Sequence, residues 1–222
     1  MPIPSDQLHA YPLFASLGNK ELEGLAQNIV RRSFAKGAYI YHPGSPGLNM
    51  YLVESGWVRM FFANDRGEEF LMNLVPPTDC FGLPLLMDNQ TRIVGAAAVR
   101  DTVVLSLSRE DVFDCMRRFP QFAFNVYLES SNKMRILGEY MHGIATLSVQ
   151  GRLAKVFLHF SDMQGAELSL PISQADLAGL IGSSRGRVNR TLTAMQSRGL
   201  IRVEGHKIHI LDREGLVKTS KV

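Results

Sequence analysis

The pattern of apolar and polar positions along the chain changes character twice. Residues 33–107 hold short apolar or alternating runs, and turn signals such as Pro43-Gly44 and the segment 64–67 separate them. Many short strands at this spacing predict an all-β sandwich or a barrel-like roll. The segment 61–70, FFANDRGEEF, predicts a hairpin within it. Before the strands, residues 19–29 carry apolar side chains on one helical face, and Asn19 is the expected N-cap.

A helical pattern follows the strands. Ser108 with Asp111 three residues later resembles a capping box, and Pro120 interrupts the helix that they start. Residues 121–147 then predict one long helix. It could lie on the β domain as a core helix, or it could form a coiled-coil-like seam between two copies of the chain, and we expect the seam. Its apolar residues recur near helical spacing: Phe122, Val126, Met134, Leu137, Met141 and Ile144.

The last third of the chain predicts a winged helix-turn-helix. A helix begins near Val149, a loop follows at residues 165–171, and two short helices flank a tight turn at Gly182. The segment 200–211, LIRVEGHKIHIL, then alternates as two strands of a wing. The predicted fold is therefore α+β: a jelly-roll-like β roll in residues 1–120, a dimerisation helix in 121–147 and a DNA-binding domain in 148–222.

The second of the two short helices has one apolar stripe and a basic start. Val188, Leu192 and Met195 fall on one face at 100° per residue. A recognition helix enters the major groove with its N-terminal residues towards the bases, where an arginine can bind guanine O6 and N7. Free N–H groups at the helix start suit a phosphate, and the wing tip could contact phosphates or simply be exposed. The candidate DNA contacts are Ser183, Ser184, Arg185, Arg187, Asn189, Arg190, His206 and Lys207.

The charge distribution favours nucleic acid over a merely solvated basic face. The net charge of the 222 residues is +3. Residues 148–222 hold 11 Lys and Arg against 6 Asp and Glu, a balance of +5, whereas the preceding part holds 13 against 15, a balance of −2. Such a surplus in one domain is typical of a nucleic-acid-binding surface. No apolar run reaches membrane-spanning length and no signal peptide is evident, so we expect a cytoplasmic protein without membrane contact.

Four segments resemble one protein family. They are LVESGWVRMFF, FGLPLLMDNQTRIVGAAAV, LSVQGRLAKVFLHF and SQADLAGLIGSSRGRVNRTLTAMQSRGLI. Together they resemble the cyclic-AMP receptor protein/FNR superfamily of bacterial transcription regulators. The resemblance implies a homodimer on double-stranded DNA, an effector in the β roll and contacts with RNA polymerase. Arg185 and Arg190 match the arginines of the family's recognition helix. Gly186 stands where an acidic base-reading residue is usual, so a different half-site is expected.

The resemblance also marks the effector pocket. In nucleotide-binding members a Gly-Glu pair binds the ribose and an Arg-Ser pair binds the phosphate. Here Gly82 and Arg92 are kept, but Leu83 and Ile93 replace the polar partners. Unpaired buried polar groups cost about 1–3 kcal/mol each, so we expect cyclic AMP not to be the effector. Leu137 and Gly138 replace polar residues that meet the base. The pocket candidates are Phe81, Gly82, Leu83, Arg92, Ile93 and Leu137.

The identity of the effector stays open at this point. With Leu85 and Leu86, the candidates describe an apolar cavity that could hold an apolar or aromatic molecule, or haem, or nothing. Arg92 could hold an anionic ligand or a structural carboxylate, either Asp79 or Asp88, and we favour the structural role. Haem could take Cys80, His42 or His142 as an axial ligand.

Other cofactors and other classes of protein fit less well. Two distant cysteines, Cys80 and Cys115, cannot supply the four ligands of an iron–sulfur cluster, and they are more simply reduced thiols than one disulfide. Nothing near Cys80 marks a reactive thiol, and the six histidines show no zinc spacing. No P-loop, nucleophile elbow, HExxH or Rossmann pattern indicates an enzyme. A sensor that acts through protein contacts alone remains the alternative of another class.

Overall fold

A computed structural model of the chain describes residues 3–83, 90–170, 172–205 and 207–221. Helices and strands alternate in a mixed α+β order. The helices are α1 (Ser5–Leu8), α2 (Asn19–Ala26), α3 (Arg109–Arg118), α4 (Pro120–Thr146), α5 (Val149–Gln164), α6 (Gln174–Leu180), α7 (Arg185–Ser197) and α8 (Arg213–Thr219). The strands are β1 (Val30–Phe34), β2 (Tyr39–Tyr41), β3 (Asn49–Ser55), β4 (Val58–Ala63), β5 (Glu69–Val75), β6 (Cys80–Phe81), β7 (Gly95–Ala98), β8 (Thr102–Ser108), β9 (Glu167–Ser169), β10 (Ile201–Glu204) and β11 (Lys207–Ile210).

Two four-stranded antiparallel sheets form the predicted β roll. Their strand orders are β1-β8-β3-β6 and β2-β7-β4-β5. The β4–β5 hairpin lies where the sequence predicts it, with Ala63 opposite Glu69. Alternate side chains of both sheets meet in a buried cluster inside the roll, as expected for strands with one face turned inward. Its members are Tyr41, Tyr51, Val53, Val58, Val75, Phe81, Ala96 and Val104.

A second core lies between the first sheet, the N-terminal helices and the start of α4. Phe14 and Phe122 are fully buried in it, and their rings stack with centroids 5.5 Å apart. Helix α2 begins at Asn19 and its N-cap is Gly18, so the prediction of Asn19 as the cap is wrong by one residue. The reason is the side chain of Glu21, whose carboxylate accepts the Gly18 N–H at 2.7 Å and fixes the first turn one residue earlier.

The long helix α4 is present as predicted, and its apolar residues differ in burial. Phe122 and Val126 are buried in the second core, with 0% and 3% exposure. Further along the helix, four apolar side chains are exposed by between 42% and 73%: Met134, Leu137, Met141 and Ile144. The capping contact before α3 is confirmed, since Ser108 Oγ accepts the Asp111 N–H at 3.1 Å.

The chain divides into two compact units, Met1–Arg135 and Ile136–Val222. The second unit contains α5, the helix pair α6 and α7, and a three-stranded sheet of order β10-β11-β9. Residues 167–169 were expected in a loop, but they pair with β11 as β9, and Leu168 is fully buried. Helix α8 is likewise absent from the sequence prediction. The predicted α+β fold, with its β roll, long helix and C-terminal helix-turn-helix, is confirmed.

Candidate functional site

A sharp turn joins helices α6 and α7. Gly182 adopts a φ of +59°, in the left-handed region that favours glycine. The Ser183 N–H donates to the Ala178 carbonyl at 2.9 Å and closes the turn. From α5, Arg152 Nη1 donates to the Gly182 carbonyl at 3.3 Å. These bonds fix the turn immediately before the arginine-rich helix.

Helix α7 has the two faces that its sequence predicts. Val188, Leu192 and Met195 are buried, with at most 4% exposure. The candidate DNA contacts on the helix are exposed: Arg185, Arg187, Asn189 and Arg190. Within the described ranges none of the three arginines pairs with a carboxylate, so their charges are available to an external anion.

The two serines before α7 have different surroundings. Ser184 is the N-cap, and its hydroxyl accepts the Arg187 N–H at 3.4 Å. It is exposed, as a phosphate contact requires. The Ser183 hydroxyl oxygen is buried, and its N–H is already bonded within the turn. The geometry therefore does not support the predicted phosphate contact of Ser183, because neither of its donors faces solvent.

The wing is the hairpin of β10 and β11. Lys207 is exposed and its Nζ lies 2.5 Å from Glu167 Oε1 on β9. This hydrogen bond lowers the pKa of Glu167 and raises the pKa of Lys207. His206, the other predicted wing contact, lies outside the described residues.

A cleft opens between the wing and the helix pair. Its volume is about 430 Å³, and apolar side chains such as Leu192 and Val203 line its floor. Its polar lining includes Ser173, Gln174 and Arg185. Ser173 and Gln174 are not among the DNA contacts predicted from the sequence.

Arg92 is bonded inside the β roll. It is 2% exposed, and its guanidinium lies 4.3 Å from the centre of the Tyr41 ring. Nη1 donates to the Gly82 carbonyl at 3.1 Å, and Nη2 donates to the Asn49 carbonyl. Gly82 has a φ of +81°, and a Cβ there would lie 2.8 Å from Arg92 Nη1, so glycine is required beside the guanidinium.

The structural role expected for Arg92 is thus met by carbonyls and an aromatic ring. The expected pairing with Asp79 is wrong, since Asp79 Oδ1 accepts from Lys133 Nζ at 3.1 Å. Asp88 lies outside the described residues, as do Leu85 and Leu86.

The other pocket candidates differ in their surroundings and in their exposure. Phe81 lies in the cluster inside the roll, whereas Leu83, fully buried, lies in the second core. Ile93 is 68% exposed and Leu137 is 51% exposed. Their assignment to an effector pocket stays a prediction.

A small ionisable cluster joins the end of the loop before β6 to α4. Ligand-type atoms of Asp79, Cys80 and Glu129 lie within 4.8 Å of one another. The Lys133 ammonium lies 3.1 Å from Asp79 and 3.0 Å from Glu129, so a cation of the chain already balances one of these two negative charges. Burial raises the pKa of the Cys80 thiol to about 12, which keeps it protonated and unreactive near neutral pH. Cys80 and Cys115 are both free and buried.

Comparison with known proteins gives two domain matches in the same order as the structure. Residues 31–119 match the cyclic nucleotide-binding domain, and residues 151–219 match the Crp-like helix-turn-helix domain. The cyclic AMP receptor protein of Thermus thermophilus is 32% identical over 192 residues, which cover 86% of this chain and 88% of that protein. The chain belongs to the CRP/FNR family of transcription regulators. It carries the family's helix-turn-helix DNA-binding domain in residues 151–219, a range that includes α6 and α7.

Further CRP/FNR proteins are similar to this chain in sequence or in structure. The transcriptional activator protein anr of Pseudomonas aeruginosa is 26% identical over 204 residues, covering 89% of this chain and 83% of that protein. The catabolite activator protein of Thermus thermophilus has a similar structure, with a TM-score of 0.55, 30% identity and coverage of 95% and 98%. FixK2 of Bradyrhizobium japonicum has a TM-score of 0.80 at 22% identity, covering 86% and 96%, and shows a common fold. Among the described residues, no helix is both long enough and apolar enough to cross a membrane.

Proposed function

We propose that this CRP/FNR regulator binds specific DNA sequences as a homodimer and that cyclic AMP is not its effector. The observation that carries the proposal is the start of α7, where Arg185, Arg187 and Arg190 are exposed beside the Ser184 cap. A helix start already has a positive dipole, and three added guanidinium groups are favourable there only opposite an anion. A duplex supplies phosphates for this charge and guanine edges for the arginines.

The proposed dimer contact is the exposed apolar part of α4. Met134, Leu137, Met141 and Ile144 lie three or four residues apart and are mostly exposed in the single chain. An apolar stripe of this length on a helix is unfavourable in water, and pairing with the same stripe of a second copy removes it from water. A dimer would present two α7 helices, which suits two half-sites about one helical turn apart.

The proposal about the effector rests on Arg92 and Leu83. The Arg92 guanidinium is buried against Tyr41 and bonded to two carbonyls, so a phosphate would have to displace contacts within the chain. Leu83 is fully buried in an apolar core, and its side chain offers no acceptor to a ribose hydroxyl. The effector is therefore another molecule, or the protein acts without one. A haem- or redox-responsive regulator is disfavoured at Cys80, because its thiol is buried and protonated.

Two measurements test the proposal. Selection of duplexes from a random library, followed by sequencing, should recover an inverted repeat of two half-sites, and recovery of no preferred sequence would overturn sequence-specific binding. Isothermal calorimetry with cyclic AMP should show no binding at micromolar concentration, and a micromolar or tighter isotherm would overturn the second part. Residence in the cytoplasm and contact with RNA polymerase belong to the same proposal, and they rest on likeness to the family.

A further inference from the structure

The cations of the wing sheet are paired with carboxylates, unlike those of α7. Lys207 Nζ lies 2.5 Å from Glu167, and Arg202 Nε lies 2.8 Å from Glu204. The wing therefore carries basic residues whose charge is largely balanced within the sheet. The start of α7 carries three exposed arginines with no such partner in the described part of the chain.

The position of Glu167 follows from strand β9. Glu167 lies directly opposite His209 in the β9–β11 register. Lys207 is two residues from His209 on the same strand and so projects from the same face. Glu167 and Lys207 are thus diagonal neighbours, which long side chains can bridge. Glu204 also faces Lys207 across β10–β11, but its oxygens contact Arg202 and His209, which leaves Glu167 as the direct partner.

We propose that Glu167 restrains Lys207 and thereby limits the attraction of the wing to any DNA backbone. The inference rests on the proposed DNA contact of Lys207. Backbone contacts give affinity without sequence information, so a restrained wing lowers non-specific binding, while the base contacts of α7 are unaffected. The Glu167–Lys207 pair is half exposed and such pairs are weak, so a phosphate that is held in register can displace the carboxylate. Glu167 is in this sense a specificity-determining residue that acts through Lys207.

Glu167→Gln in the full chain tests the inference, because glutamine keeps the size of the side chain and removes its charge. The probe is a random-sequence 30-bp duplex, with binding followed by fluorescence anisotropy between 50 and 200 mM salt. Each lysine released to a phosphate adds about 0.9 to the slope of log affinity against log salt. The gain in affinity of Glu167→Gln over the wild type should therefore be about 3.5-fold larger per subunit at 50 mM salt than at 200 mM salt.

Two matched variants separate this effect from a general increase in charge. Asp162→Asn breaks another exposed ion pair, with Arg213 at 2.7 Å, and changes the net charge equally. It lies on α5 rather than on the wing sheet, and it should leave the salt slope unchanged. Lys207→Gln should lower the slope by about 0.9 in the Glu167→Gln background and by clearly less in the wild type.

The outcomes distinguish the inference from the proposed function. If the wild type binds no duplex at low salt, the proposed function fails. If the wild type binds DNA but Glu167→Gln and Asp162→Asn show equal slopes, the restraint by Glu167 is wrong. Equal effects of Lys207→Gln in both backgrounds would also contradict it. Thermal unfolding of each variant provides the check that the fold is intact.

Discussion

Replacement of Arg92 by methionine distinguishes two roles of this residue, a structural role within the β roll and a role as the binding partner of an anionic ligand. An arginine that serves only to bind an anionic ligand is a buried, uncompensated charge when the ligand is absent. Its removal should leave the ligand-free protein as stable as before or more stable. Arg92 instead donates to the carbonyls of Gly82 and Asn49 and stacks on Tyr41 at 4.3 Å. Its removal should therefore destabilise the protein even without ligand.

The magnitude follows from these contacts. A buried carbonyl left without its donor costs about 1–3 kcal/mol, and a desolvated cation–π contact contributes about 2 kcal/mol. The two carbonyls and the ring contact together give about 4–8 kcal/mol, and methionine retains part of the apolar packing, so we expect Arg92→Met to lower the free energy of unfolding by about 4 kcal/mol or more. Urea unfolding of the ligand-free protein, followed by tryptophan fluorescence of Trp57 in the roll, measures the change.

The matched control is Arg100→Met, which removes an exposed arginine from the same domain. Such surface changes are usually within about 0.5 kcal/mol. If Arg92→Met is as stable as Arg100→Met, the internal bonding of Arg92 does not hold the roll together and the argument against a phosphate ligand loses its basis.

Three further predictions concern the dimer, the DNA and the thiols. Leu137→Glu places a charge in the proposed α4 contact and should shift the protein towards monomer in sedimentation at low concentration; an unchanged mass would count against that contact. Arg190→Ala should weaken binding to a selected site by about 1–3 kcal/mol and relax one base preference, as read by competition titration. Burial raises the thiol pKa of Cys80 and of Cys115 from 9.0 to about 12. As the pH rises, the thiols of the unfolded chain therefore lose their protons before those of the folded chain. The free energy of unfolding should fall between pH 9 and pH 12, by up to about 1.4 kcal/mol per pH unit for each thiol. A flat stability profile above pH 9 would contradict the burial of the thiols.

Short sequence patterns, such as helix caps and turn residues, are enough to predict most of the helices and strands. Ser108 is predicted as a helix cap because a hydroxyl and an acidic residue lie three positions apart, and the cap forms. The β4–β5 hairpin and the α6–α7 turn carry their own turn residues. The sequence pattern does not predict strand β9, because three residues are too few to show an alternation of apolar and polar side chains. The strand is stabilised by pairing with β11, some 40 residues later in the chain.

The candidate sites are predictable only in part, because some of their contacts join residues that are distant in the sequence. The apolar stripe of α7 predicts which face of the helix is exposed, so the exposure of Arg190 follows from spacing alone. The partners of Lys207 and Arg92 could not be predicted, because Glu167 and Asn49 lie about 40 residues away in sequence and reach them only through the sheets. Ser183 looked equivalent to Ser184, and only the closure of the turn distinguishes its buried hydroxyl.

Methylation interference at guanine N7 shows whether α7 lies in the major groove, because an arginine of α7 would bind that atom there. We expect two short groups of guanines, about 10 bp apart centre to centre, whose methylation prevents binding of the wild-type protein to a selected site. Binding that tolerates methylation at every guanine of the site would contradict the placement of the arginine-rich start of α7 in the major groove.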